Sequence, residues 1–195
     1  MTQKFTILFD LDGTLVDTAP DLMNAHNHVM RKFGYETKST DDIRKLVGQG
    51  AGSLIGRSVW GQAKKELKKI NDDKIKKEMV TEFIDFYGKN IANESKLING
   101  AYDFFEYVAG SNTFDFCKPD PRHLTYVIEI MQGDIKKSIM IGDSETDGNA
   151  AKAADIPFIL LEDGYTEKNV NEISHNHLIR DFVGIEKIVQ KYLHH

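Results

Sequence analysis

Hydrophobic positions along the chain fall into two patterns. Short runs rich in β-favouring residues occur at 5–9 (Phe-Thr-Ile-Leu-Phe), 138–141 and 158–161, each bounded by polar residues or glycine. Such runs predict strands buried on both faces. Residues 121–132 and 147–154, which separate them, predict helices, and the alternation of strand and helix predicts a parallel sheet. From about residue 19 to about residue 95 the pattern changes. Leu22, Ala25, Val29, Met30 and Phe33 recur at helical spacing before Gly34. Ser39 followed three positions later by Asp42 predicts a capped helix start. Two further helical stretches follow, the last carrying Met79, Phe83, Ile84 and Phe86. No strand signal interrupts them, so the pattern predicts a helical insertion after the first strand of an α/β core.

Composition narrows the classes without choosing among them. The 195 residues suffice for one core and a second small one. A net charge of −5 gives no electrostatic case for nucleic acid, so an anionic ligand must be held by a local site. The single cysteine, Cys117, has no internal partner and fits a reducing compartment. No segment reaches membrane-spanning length and the first residues lead directly into a strand, so the expectation is a cytoplasmic protein with no membrane partner. Seven lysines between Lys64 and Lys77 read as a solvated helix face. Gly48-Gln49-Gly50-Ala51-Gly52 lacks a preceding strand and a following Gly-Lys-Ser/Thr, so it reads as a helix–helix turn rather than a phosphate loop. The terminal His194-His195 is given no function.

Three pieces carry the chemistry. The first strand ends in Asp10-Leu11-Asp12-Gly13-Thr14. The strand at 138–141 ends in Gly142-Asp143-Ser144-Glu145-Thr146-Asp147. Between them lies Cys117-Lys118-Pro119-Asp120-Pro121. The carboxyl edge of an open parallel sheet is where ligands bind. Four carboxylates converging there repel one another unless a cation sits among them, and hard oxygen donors suit magnesium. Lys118 adds a point charge for an anion such as phosphate. Pro121 is suited to the first turn of a helix. A calcium loop is excluded, because its sixth and twelfth positions are Leu15 and Asp21 rather than glycine and glutamate.

The ordered trio resembles motifs one, three and four of the haloacid dehalogenase superfamily. Leu15-Val16-Asp17-Thr18-Ala19-Pro20-Asp21-Leu22 is most similar to the phosphoglycolate phosphatases within it. The resemblance implies an α/β, Rossmann-like parallel-sheet core at residues 1–16 and 98–195, with an inserted helical cap at 17–97. It implies a phosphatase that requires Mg2+ and acts on a small phosphorylated metabolite, as a monomer or homodimer. Asp10 would be the nucleophile, Asp12 the general acid and base, and Lys118 a catalytic charge. Gly13, Thr14 and Lys118 would bind the phosphate. Asp10, the Asp12 carbonyl and Asp143 would hold the metal, with Asp147 supporting that shell or Lys118. An acid at Asp12 argues against a dehalogenase, because a halide leaves without a proton. A sugar-phosphate mutase of the same superfamily, or a catalytically weak binding or regulatory protein, are the alternatives.

One departure is pronounced. The family's second motif, a strand ending in Ser or Thr that binds phosphate, lies between the return from the cap and the lysine. Only 17 residues separate Gly100 from Lys118. They are too few for a helix, a strand, another helix and the approach to Lys118, so a strand–helix portion is expected to be absent near Ala101. Ser111 and Thr113 are candidate substitutes for its hydroxyl. The possibilities are a molecule heavier than its 22.1 kDa sequence, a deletion that impairs the phosphatase, or a fold kept in part for another role. A smaller departure is Asp155, where the family has glycine after a helix. Asp tolerates the left-handed conformation that position needs.

Overall fold

A computed structural model describes residues 4–48, 50–61, 70–101, 106–110, 113–166 and 168–193. The chain divides into two compact units, residues 1–16 with 97–195, and residues 17–96.

The first unit is built on a four-stranded sheet. Its strands are β1 (Lys4–Phe9), β4 (Gly133–Gly142), β5 (Phe158–Leu161) and β6 (His177–Ile179), in the order β1-β4-β5-β6. Every pairing is parallel. Two short strands, β2 (Val16–Asp17) and β3 (Lys96–Leu97), pair with each other. Side chains alternate across a strand, so each sheet face collects its own core. Leu8, Met140, Phe158 and Leu160 pack on one side with Leu124, Val127 and Ile128 of helix α5 (Arg122–Ile130) and with Ala150 and Ala151 of helix α6 (Glu145–Ala153). Ile139, Ile141, Ile159 and Leu161 pack on the other with Val189 of helix α7 (Ile185–Leu193). Among the described residues, β1 is an edge strand, and its Ile7 is 39% exposed.

The second unit is a helical cluster of α1 (Ala19–Phe33), α2 (Thr40–Leu46), α3 (Ala51–Trp60) and α4 (Ile70–Asn90). Helix α1 has proline in its first turn and ends on Gly34 in the left-handed conformation. Ser39 and Asp42 form the expected capping box at the start of α2. The apolar faces meet around Val29, Met30, Ile43, Ile55, Met79 and Phe83. The glycines at 48 and 50 lie in the connection from α2 to α3, a helix–helix turn as expected. Of the lysine run, Lys74, Lys76 and Lys77 are on α4, and residues 64–69 lie outside the described residues. So do Gln49, Ser111, His194 and His195.

Several expected boundaries shift. Strand β4 begins at Gly133, five residues before the apolar run, because Lys4 pairs with Gly133 through main-chain atoms that need no apolar side chain. Helix α6 begins at Glu145 rather than 147, since Ser144 caps it. Helix α5 is Arg122–Ile130, with Pro121 at its N-cap rather than inside it. Strand β6 was invisible because three residues beginning with histidine carry no strand pattern. Asp155 does adopt a left-handed backbone, φ 57°. No helix of the described residues is long and apolar enough to cross a membrane.

Candidate active site

Strands β1 and β4 are parallel neighbours, so their carboxyl ends open on the same side. In the aligned register Phe9 stands beside Ile141, and the Asp10 amide donates to the Ile141 carbonyl at 2.9 Å. That pairing places Asp10 next to the Gly142-Asp143 turn. The Lys118 ammonium joins the two strand ends. It donates to Asp10 Oδ1 in a very short contact and to Asp147 Oδ1 at 2.6 Å. The peptide bond from Lys118 to Pro119 is cis.

Asp147 owes its orientation to a helix cap. Its Oδ2 accepts from the Ser144 amide at 3.2 Å and the Ser144 hydroxyl at 2.6 Å, while the Asp147 amide donates back to Ser144 Oγ at 3.4 Å. This reciprocal box satisfies donors at the start of α6 and leaves Oδ1 for Lys118. The sequence carries the signal for this cap, since Ser144 and Asp147 repeat the Ser-x-x-Asp pattern of Ser39 and Asp42.

Asp143 is gripped from two sides. The Thr14 hydroxyl donates to its Oδ1 at 3.0 Å, and the Tyr165 amide donates to its Oδ2. Thr14, Asp143 and Asp147 are all buried. Gly13 sits at φ 86°, and a Cβ there would lie 2.5 Å from Asp143 Oδ2 and 2.7 Å from Tyr165 Cγ. Both the conformation and the space therefore require glycine. Asp12 is half-buried and its backbone bridges to Val16. Thr113 Oγ1 accepts from the Gly110 amide at 2.7 Å, closing its own turn.

The electrostatics are those of crowded acids. Burial first, and then Asp147, push the Asp10 carboxyl up to about 6 against the opposing pull of Lys118. Burial, Asp10 and Asp147 raise the Asp143 carboxyl well above its ordinary value, although the Tyr165 amide and Thr14 hydroxyl oppose them. Burial alone would lower Lys118, but the carboxylates of Asp147 and Asp10 outweigh it and hold the ammonium charged above its ordinary value.

A family model for haloacid dehalogenase-like hydrolases matches residues 6–155. The chain belongs to this family. Among curated relatives, a phosphoglycolate phosphatase of Mesorhizobium japonicum is 33% identical over 90% of this chain and 90% of its own length. One from Caulobacter vibrioides is 32% identical over 93% of this chain and 89% of its own length. A crystal structure described as a predicted phosphoglycolate phosphatase from Haemophilus somnus 129pt matches with a TM-score of 0.83 at 26% identity, covering 97% of this chain and 100% of that one. The Mesorhizobium alignment spans 210 positions but takes in 90% of 195 residues, about 176, so about 34 positions of the relative face no residue here.

Enzymes of this family generally use a divalent metal, and the residues present fit one. Asp10, Asp143 and Asp147 each offer a carboxylate oxygen, all within 4.8 Å of one another. Lys118 is the cation paired with two of them, so the group carries excess negative charge in a poorly solvated place. A hard divalent cation would neutralise it. The sequence predicts that Asp147 supports the metal shell or Lys118. The structure groups it with Asp10 and Asp143 and also pairs it with Lys118.

Proposed function

We propose that the protein is a magnesium-dependent phosphatase of small phosphomonoesters, with 2-phosphoglycolate the first substrate to test. The observation that carries this reading is the Asp10 carboxylate at the end of β1. It is held by Lys118 and grouped with Asp143 and Asp147. The printed names of the relatives support the substrate.

In this reading an oxygen of Asp10 attacks phosphorus while the ester P–O bond breaks, leaving an aspartyl-phosphate. Asp12 gives its proton to the departing alkoxide, then takes one from the incoming water. That water forms the new P–O bond, the bond to Asp10 breaks, and inorganic phosphate leaves. Asp10, the Asp12 carbonyl and Asp143 would hold Mg2+, which supplies charge neutralisation for the transferring phosphoryl group. Lys118 offsets charge on the same group from the side, and Asp147 keeps its ammonium charged and aimed. Gly13 and Thr14 shape the backbone around the phosphate. The helical unit would select the ester, through residues 48–53.

Phosphate release from a panel of esters with added Mg2+ tests the reading. Release from 2-phosphoglycolate that Asp10→Asn abolishes supports it, and turnover retained by Asp10→Asn sinks the nucleophile assignment. Rearranged product without free phosphate would indicate a mutase. The 34 or so unmatched positions favour a second reading, a weak enzyme that keeps metal and anion affinity. Measurable Mg2+ binding without turnover on any ester would decide for it.

A further inference from the structure

The turn after β5 reaches Asp143 more closely than packing alone explains. A Cβ on Gly164 would lie 2.0 Å from Asp143 Cβ and 2.4 Å from its Oδ2, well inside any tolerable contact. Gly164 is not in the left-handed region, so this glycine is needed for close approach rather than for a turn. The approach delivers the next amide, of Tyr165, to Asp143 Oδ2. The Tyr165 side chain, 5% exposed, then lies against Gly13 on the β1 loop. The loops after three adjacent strands thus meet at one carboxylate: Gly13 and Thr14 after β1, Asp143 after β4, Gly164 and Tyr165 after β5.

We infer that the Gly164-Tyr165 turn is a positioning element, which fixes the Asp143 carboxylate in the orientation that receives the divalent cation. This rests on Asp143 being a metal ligand in the proposed function. With the Thr14 hydroxyl on Oδ1 and the Tyr165 amide on Oδ2, each oxygen keeps a lone pair for the ion, while a donor on each oxygen opposes rotation of the carboxylate. Outer groups that orient a ligand in this way commonly change metal affinity about 10- to 100-fold when removed.

Mn2+ binding to the full-length protein, read by electron paramagnetic resonance, tests this without relying on turnover. Gly164→Ala is expected to weaken Mn2+ binding at least tenfold, and to raise the Mg2+ concentration for half-maximal phosphate release while kcat at saturating Mg2+ changes less. Tyr165→Phe, which keeps ring and amide, should bind Mn2+ within twofold of the parent. If Gly164→Ala does not fold, exchange of the Tyr165 amide for an ester removes only the donor and should weaken binding in the same sense. Unchanged Mn2+ affinity in a folded Gly164→Ala protein, or in the ester variant, overturns the inference. Weakened Mn2+ binding in a protein that hydrolyses no ester would leave it standing and defeat the phosphatase reading instead.

Discussion

At the scale of single residues, the site stores unfavourable charge for the sake of its chemistry. Asp10 titrates near 6 rather than its ordinary 3.8, so between about pH 4 and 6 the folded protein binds more protons than the unfolded chain. Stability from this group therefore falls as pH rises through that window, the reverse of an acid held by a dominant ion pair. In metal-free protein, Asp10→Asn should be the more stable form at pH 7.5, by about 2 kcal/mol, and the advantage should shrink as pH falls and vanish below about pH 4. Denaturant titrations at both pH values, with EDTA present, measure it, and saturating Mg2+ should reverse the order at pH 7.5. Asp155 stores strain of another kind, with a left-handed backbone at φ 57°. Asp155→Gly is expected to be neutral to stabilising by up to about 1 kcal/mol, and Asp155→Val destabilising by about 1–2 kcal/mol, read by thermal melting. Asp10, Asp143 and Asp147, which the structure groups, were legible because acids that follow apolar strand runs stand out, whereas Lys118, which precedes α5, was marked only by its Lys-Pro-Asp-Pro setting. Gly164 and Tyr165 were not, since a glycine required for close approach looks in sequence like any other turn glycine.

At the scale of elements, the structure shows that one short pattern serves two purposes. Ser39 and Asp42 cap α2, and Ser144 and Asp147 cap α6, by the same reciprocal hydrogen bonds. Only the second also turns a carboxylate oxygen toward Lys118. Ser39→Ala and Ser144→Ala should each cost about 1 kcal/mol of stability. Ser144→Ala alone should lower kcat, because Asp147 loses the bonds that fix it, while Ser39→Ala leaves phosphate release unchanged. Equal kcat in both variants would separate the cap from the catalytic geometry. The strand at 158–161 was readable because the run is purely apolar and fully buried, and that at 5–9 because β-favouring residues dominate it, although Ile7 is exposed at the sheet edge. The amino-terminal half of β4 carries no strand pattern, since residues 135–137 are exposed and the register with β1 is irregular there, stepping from Lys4–Gly133 to Thr6–Ser138. Helix α7 is amphipathic, with Ile185, Ile188, Val189 and Tyr192 on its core side, and its pattern was there to be read.

At the scale of the whole molecule, the sheet and the alignments lead to the same consideration. About 34 positions of the Mesorhizobium relative have no counterpart here, and the span from Gly100 to Lys118 is too short for a strand and its helices. Among the described residues the sheet is all parallel and ordered β1-β4-β5-β6, so a strand added to it joins at β1 or at β6. One whose end contacts a phosphate on Asp10 must lie beside β1. Ile7 on β1, Val108 on the segment leading to Lys118, and Tyr126 and Ile130 on α5 are large apolar residues left exposed. Those exposures fit a missing strand and helix, since edge strands are otherwise shielded or charged. Grafting a strand–helix segment of the Mesorhizobium relative at Ala101 is therefore expected to raise both the melting temperature and kcat/KM for 2-phosphoglycolate, the latter by at least tenfold. Hydrogen exchange should show new protection of the β1 amides in the graft. The same segment joined after β6 supplies equal apolar area without a neighbour for Asp10, so it should leave kcat/KM unchanged. A graft at Ala101 that protects β1 without improving hydrolysis would show that the short form already holds its substrate by other means.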